Sequence, residues 1–366
     1  MERALAAARV SVLPDTGVVS FARGVPAGDL LPVEALAEAA VEAVRRDGRV
    51  ASNYGPPGGY GPLRELIAER YGVAPSRVLL TPGSLIALNL LFAECSGPIA
   101  VESPTYDRAL TAAGGGILAV GRGDLGGLAM IADRARLFYV LPTFHNPTGT
   151  TLDAGQRREL AHLAIEHELL VVEDDPYGAL RFEGESPPTL FGLLNEAGAD
   201  ELAVRVGSFS KSVAPGLRIG YTIAPEHVAA RLERRALDLY VSPPLFAQAQ
   251  LLAFLEGPHV ESHLETLRAE LRRRRDALLE GLRHALPGAT VTRPEGGYFA
   301  WAELPLDAES LLGAATERGV TFVPGRSFDP HGTDTRHARF AFSHASVEEI
   351  AAGCERLADA AGALSS

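Results

Sequence analysis

Lysine is almost missing from this sequence of 366 residues: of its 34 basic residues 33 are arginine and one, Lys211, is lysine. A chain that uses arginine wherever a surface cation suffices keeps an ammonium where guanidinium chemistry fails. Arginine stays protonated, whereas a lysine whose pKa is lowered can lose its proton, attack a carbonyl and form a Schiff base. Cysteine is scarce as well. Cys95 and Cys354 both fall in helical patterns, and neither a disulfide framework nor a metal-ligand spacing is present, which fits a reducing, cytoplasmic setting. An excess of positive charge is absent too: 34 basic against 46 acidic residues give a net charge of −12, which argues against a nucleic-acid-binding surface. No window reaches the roughly 20 apolar residues of a membrane helix. Residues 1–15 lack an uninterrupted apolar core followed by a cleavage site, so no secretory leader is expected.

What is present is ordinary globular material, 46% apolar and 22% charged, in a chain long enough for two domains. Short, nearly all-apolar runs are expected as strands: Val78 to Leu80, Ile99 to Val101, Leu137 to Leu141, Leu169 to Val172, Ala203 to Val206 and Arg218 to Ile223. Helical patterns lie between several of them. Alternation of this kind indicates a mostly parallel sheet covered on both faces, an α/β architecture. A long helical stretch from about His259 to Leu286 reads as a connector. Beyond it, runs at Thr290 to Thr292, Tyr298 to Ala302, Val320 to Val323 and Ala338 to Phe342 alternate with helices in a smaller α+β lobe. The expected division is a large α/β domain over 45–257 and a discontinuous small domain of 1–44 with 258–366. The basic run Arg272 to Arg275 reads as a solvated helix face, and so do His259 and His263.

Polar residues collect just after the apolar strands, where open α/β sheets bind ligands. Thr81-Pro82-Gly83-Ser84 joins a strand to a helix whose free N–H groups could hold a phosphate. Asn146 lies in His145-Asn146-Pro147-Thr148-Gly149, after the Leu137 strand. Glu173-Asp174-Asp175-Pro176-Tyr177 follows the next one, with no histidine at metal-ligand spacing, so no metal is expected. Lys211 follows the Ala203 strand, in Ser208-Phe209-Ser210-Lys211.

In kind and in order these stretches resemble the class I and II aminotransferases, enzymes of fold type I that use pyridoxal 5′-phosphate (PLP), and the likeness covers nearly the whole chain. They look closest to the subgroup of 2-aminoadipate transaminases and of regulators with an aminotransferase-like domain. The resemblance implies a seven-stranded-type, mostly parallel sheet, transamination between an L-amino acid and a 2-oxo acid, and a homodimer. Lys211 matches the Schiff-base lysine, Asp174 the carboxylate at the pyridine nitrogen, and Tyr177 and Asn146 the groups on the ring oxygen O3′. Tyr106 is similar to the aromatic that stacks on the ring. Gly83, Ser84, Leu85, Ser208, Ser210 and Arg218 resemble the phosphate cup, and Tyr54 the tyrosine that reaches the phosphate from the partner subunit. Arg339 matches the clamp on the substrate α-carboxylate. Asn146 and Gly24 count among the substrate contacts, and Arg23, beside Gly24, is the candidate for a distal carboxylate.

Rival readings are weighed on the same residues. Ser208-x-x-Lys211 fits a penicillin-recognising serine enzyme, but that site also needs a Lys-Thr-Gly segment, and the chain has one lysine. An aminotransferase-like regulator needs a winged-helix segment upstream, and none is expected, because the family-like loop already begins at Gly24. A PLP-dependent decarboxylase, lyase or oxidase shares the cofactor residues. Arg339 favours chemistry at Cα–H, since decarboxylation needs the carboxylate across the ring plane.

Overall fold

The computed structural model describes residues 17–365. Its strands, in chain order, are β1 (Val19–Ser20), β2 (Val78–Thr81), β3 (Ile99–Ser103), β4 (Ile117–Gly121), β5 (Leu137–Val140), β6 (Leu170–Asp175), β7 (Ala203–Ser208), β8 (Gly220–Ile223), β9 (Thr290–Val291), β10 (Phe299–Glu303), β11 (Val320–Thr321), β12 (Val323–Pro324) and β13 (His337–Ala341). Seven of them form one sheet in the order β2-β8-β7-β6-β5-β3-β4. Only β8 runs against its neighbours, β2 and β7. The carboxyl ends of the other six strands therefore share one edge, and the amino end of β8 joins them there.

Side chains alternate across this sheet as the pleat requires. Leu80, Phe138, Val140 and Val171 feed an apolar cluster on one face. Leu79, Tyr139, Leu141, Val172 and Val206 feed a second on the other. Each fully buried aliphatic side chain contributes roughly 1.5–3 kcal/mol, so short strands suffice when both faces are covered. A third cluster joins Phe299, Phe340 and Phe342, from the four-stranded β12-β13-β10-β9 sheet and its end, to Leu271, Leu278 and Leu282 of the helix Val260–Ala285. The helix Val33–Ala51 rests on the first cluster through Ala39, Ala43 and Ala51.

Three readings need correction. The run Val320 to Val323 is two strands. β11 pairs with β1, β12 pairs with β13, and the break falls at the buried Phe322. The face Arg272 to Arg275 is solvated at only two positions. Arg274 and Arg275 are 1% and 0% exposed, because carboxylates and carbonyls replace their water. Arg275 is held by Glu183, Asp276 and the Pro294 carbonyl, and Arg274 by Glu270 and Asp29. His263 is half-buried rather than exposed, with Nε2 2.9 Å from the Ser212 carbonyl, while His259 is exposed. Elements not expected from the sequence are β4 and the helices Leu125–Ala132, Leu190–Glu196, Glu226–Tyr240 and Leu245–Glu256.

Candidate active site

The shared strand edge gathers the chemistry. β7 ends at Ser208, and Lys211 lies in the turn beyond it. Lys211 Nζ donates to the Gly24 carbonyl at 2.6 Å, and the Lys211 carbonyl accepts from Tyr298 Oη at 2.7 Å. One side of the lysine keeps contact with solvent, yet the atoms packed around it displace most of its water. That desolvation, followed by the nearby charges of Arg339 and Arg218, pushes its pKa down to about 8.

β6 ends in three carboxylates with separate environments. Asp175 Oδ2 takes a hydrogen bond from Arg205 Nη2 at 2.6 Å, and Oδ1 takes one from the Gly178 amide at 2.8 Å. Glu173 accepts from the Phe191 amide and lies 3.2 Å from Arg205 Nη1. Asp174 points to the other face. Its Oδ2 accepts from Tyr139 Oη at 2.8 Å, while its buried Oδ1 has no partner. Burial raises its pKa to about 7, opposed by the Tyr139 hydrogen bond.

Arg339, on β13, is buried. Nη1 donates to Asn146 Oδ1 at 2.8 Å, Nη2 donates to the Ala22 carbonyl at 2.9 Å, and Nε has no partner. The guanidinium carbon lies 4.2 Å from the Phe299 ring centre and 4.8 Å from that of Phe328, within cation–π range of both. No carboxylate among the described residues pairs with it. Because Asn146 accepts through Oδ1, its Nδ2 is the end left for a ligand oxygen. Tyr106 and Tyr177 lie close enough to Asp174 and Arg339 to feel both charges, and burial raises both phenolic pKa values.

At the end of β2, Gly83 takes φ +89° and starts the helix Ser84–Glu94 without a side-chain cap. Any Cβ there would sit 2.6 Å from Arg218 Nη2, so the glycine makes room for the guanidinium. Arg218 itself is left-handed, φ 53°, a conformation costing about 1–2 kcal/mol for a residue with a Cβ. Ser208 Oγ accepts from the Ser210 amide at 3.2 Å. Helix N–H groups of Ser84 and Leu85, two serines and one arginine form a donor set suited to a dianion.

The geometry thus brings together Lys211, Asp174, Tyr177, Tyr106, Asn146, Arg339 and Gly24, with Gly83, Ser84, Leu85, Ser208, Ser210 and Arg218 alongside. Two candidates have other surroundings. Tyr54 is 84% exposed. Arg23 turns to His344, with Nη1 3.1 Å from Nε2. Sequence reasoning gave no role to Tyr139, Tyr298, Phe299 or Phe328. The first carried a signal, a lone hydroxyl inside an otherwise apolar strand. Phe299 and Phe328 become visible only once β10 and β13 pair.

The family model for aminotransferases of class I and II matches residues 16–357. This chain belongs to that family. It is 37% identical to the 2-aminoadipate transaminase of Thermus thermophilus over 93% of this chain and 89% of that protein. It is 33% identical to the aromatic-amino-acid aminotransferase 1 of Thermococcus litoralis, over 96% of this chain and 89% of that protein. The crystal structure of the α-aminoadipate aminotransferase of Thermus thermophilus, complexed with N-(5′-phosphopyridoxyl)-L-leucine, superposes with a TM-score of 0.90. The two are 36% identical, over 95% of this chain and 93% of that one. The fold is fold type I of the PLP-dependent transferases, and the protein is a PLP-dependent aminotransferase acting on amino acids. The residues fit this cofactor: a buried Asp174 oxygen has no donor among the described residues, and Gly83 lets the Arg218 guanidinium lie against the start of the Ser84–Glu94 helix.

Proposed function

We propose that Lys211, Asp174 and Arg339 form the catalytic centre of an aminotransferase that exchanges amino groups between an L-amino acid and a 2-oxo diacid. One observation carries this reading. Among the described residues the other buried arginines and carboxylates are paired, whereas these three bring an amine, a carboxylate oxygen and a guanidinium nitrogen not matched to opposite charge. PLP, when bound, supplies a carbonyl for amine exchange and a pyridinium ring that takes up electron density. Asp174 Oδ1 would hold the positive ring nitrogen, and Asn146 Nδ2 and Tyr177 would donate to the ring oxygen. Tyr106 is the candidate stacking partner. Ser84, Leu85, Ser208, Ser210 and Arg218 are the candidates for the phosphate. Arg339 would grip the α-carboxylate of donor and acceptor alike and so fix the direction of the Cα–H bond. Lys211 Nζ, neutral above about pH 8, is the base that takes that proton and returns it on the other side of the exchange.

Borohydride reduction of the PLP-loaded protein, followed by peptide mass spectrometry, is expected to find the pyridoxyl group on Lys211; its absence there refutes the assignment. Arg339→Ala should cost about 2–5 kcal/mol in kcat/KM for every substrate, because it leaves a buried carboxylate unpaired. A stopped-flow absorbance screen of amino acids identifies the donor.

The likeness to a 2-aminoadipate transaminase supports a substrate with a distal carboxylate, and Arg23 is the cation we assign to it. Arg23→Gln should lower kcat/KM for 2-oxoglutarate and spare pyruvate; equal effects would remove Arg23 from the site. We further propose 45–257 as the cofactor-binding domain, 1–44 with 258–366 as the second, a cytoplasmic setting and a homodimer. Exposed Val33, Val41 and Val44 on one helix, with Leu237, Leu239, Phe246 and Tyr54, support a second copy as the cover. Light scattering that finds a fully active monomer rules the dimer out.

A further inference from the structure

Tyr139 is fully buried, and among the described residues its hydroxyl has one partner, Asp174 Oδ2 at 2.8 Å. It stands in β5 opposite Val172, which lies two residues before Asp174 on β6, so both side chains leave the same face of the sheet. Phe92 packs edge-on against its ring, with centroids 5.6 Å apart, and so fixes where the hydroxyl points. Packing alone does not explain that hydroxyl. Its strand neighbours Leu137, Phe138 and Val140 are apolar, and phenylalanine would fill almost the same volume. Burial and the neighbouring carboxylate both raise the pKa of Tyr139, so it remains a donor.

We propose that Tyr139 is a positioning residue for the cofactor: it occupies Oδ2 of Asp174, holds the carboxylate as an acceptor, and reserves Oδ1 for the pyridine nitrogen. The inference rests on the reading of Asp174 as the carboxylate that meets that nitrogen. A buried carboxylate with no donor takes up a proton, and a neutral carboxyl cannot hold a cation. Four other titratable or charged groups bear on Asp174: Tyr106, Tyr177, Asp175 and Arg205. Arg205 is engaged by Glu173 and Asp175, so among the described residues Tyr139 is the group that donates directly to Asp174.

The test is a double-mutant cycle read by cofactor binding rather than turnover. Apo-forms of the wild type, Tyr139→Phe, Asp174→Asn and the double variant are titrated with PLP, and the thermal melt of each apo-form is recorded. Tyr139→Phe keeps the ring, so its apo-form should still fold cooperatively, with a melt lowered by no more than the loss of one buried hydrogen bond. Its PLP affinity should fall roughly ten- to hundredfold, the scale of a hydrogen bond to a charged group. In the Asp174→Asn background the same change should add less than about threefold, because the hydroxyl acts through that carboxylate. An affinity within about twofold of wild type in Tyr139→Phe, beside a clear loss in Asp174→Asn, overturns the inference. So does an equal loss in both backgrounds, which would mark Tyr139 as packing alone. If Asp174→Asn itself binds PLP normally, the carboxylate does not hold the cofactor and the inference falls; the reading of Asp174 itself fails only if kcat is also kept.

Discussion

The two faces of β6 carry the same chemistry to opposite ends. On one face Glu173 and Asp175 are joined to Arg205, with Arg157 close by, so each buried carboxylate has a cation beside it. On the other face Asp174, equally buried, has a single phenolic donor and an oxygen with none. The buried arginines divide in the same way. Arg274 and Arg275 are bound to carboxylates, and Arg339 has two phenyl rings, an amide and a carbonyl around it. Breaking a buried pair leaves an uncompensated charge, so the paired set holds the fold together. A buried charge kept without a counter-ion is a cost to folding, and it recurs where a ligand brings the missing charge.

This contrast can be broken by experiment. Lys211→Arg should abolish turnover altogether while the protein melts near the wild-type temperature; detectable transamination would detach the lysine from the chemistry. Arg205→Leu should do the reverse. It strips the cation from Glu173 and Asp175 and should cost about 3–5 kcal/mol of stability in a denaturant titration. A normal unfolding curve with lost turnover would erase the distinction between the faces. Asp174→Asn should lower kcat by about two to three orders of magnitude with little loss of stability, whereas Glu173→Gln should show the opposite balance. If Asp175→Asn produces the catalytic loss instead, the two aspartates exchange roles. The smallest effect is in pH. Lys211 attacks only as the neutral amine, and its depressed pKa places that form above about pH 8. The rate of PLP uptake by the apo-protein should therefore rise up to about pH 8 and then level. A rise that continues toward the range of a free lysine would show that the site does not depress Lys211.

How much of this was legible in the chain depended on what each residue answers to. The central strands could be read because Leu137 to Leu141 and Ala203 to Val206 are buried on both faces and so are apolar throughout. β4 and the helix after it were hidden by glycines: Gly123, Gly126 and Gly127 weaken the helical pattern, and the helix is started by Asp124, whose Oδ1 takes the Gly127 amide at 2.8 Å. The burial of Arg274 and Arg275 was invisible because their partners Asp29, Glu183 and the Pro294 carbonyl are distant in sequence. The candidate site residues stood out because they sit in short runs after strands, where local order survives folding. Tyr54 faces outward, as a residue directed at a partner subunit does, and Arg23, next to Gly24, turns to His344.

The solitary lysine has an analytical consequence. Acylating reagents that modify side-chain amines have one such atom in the chain to find, and it is softened by its surroundings to react near neutral pH. A bound cofactor should shield it and a departed one expose it. The extent of such labelling would then count occupied sites directly, without substrate, colour or turnover.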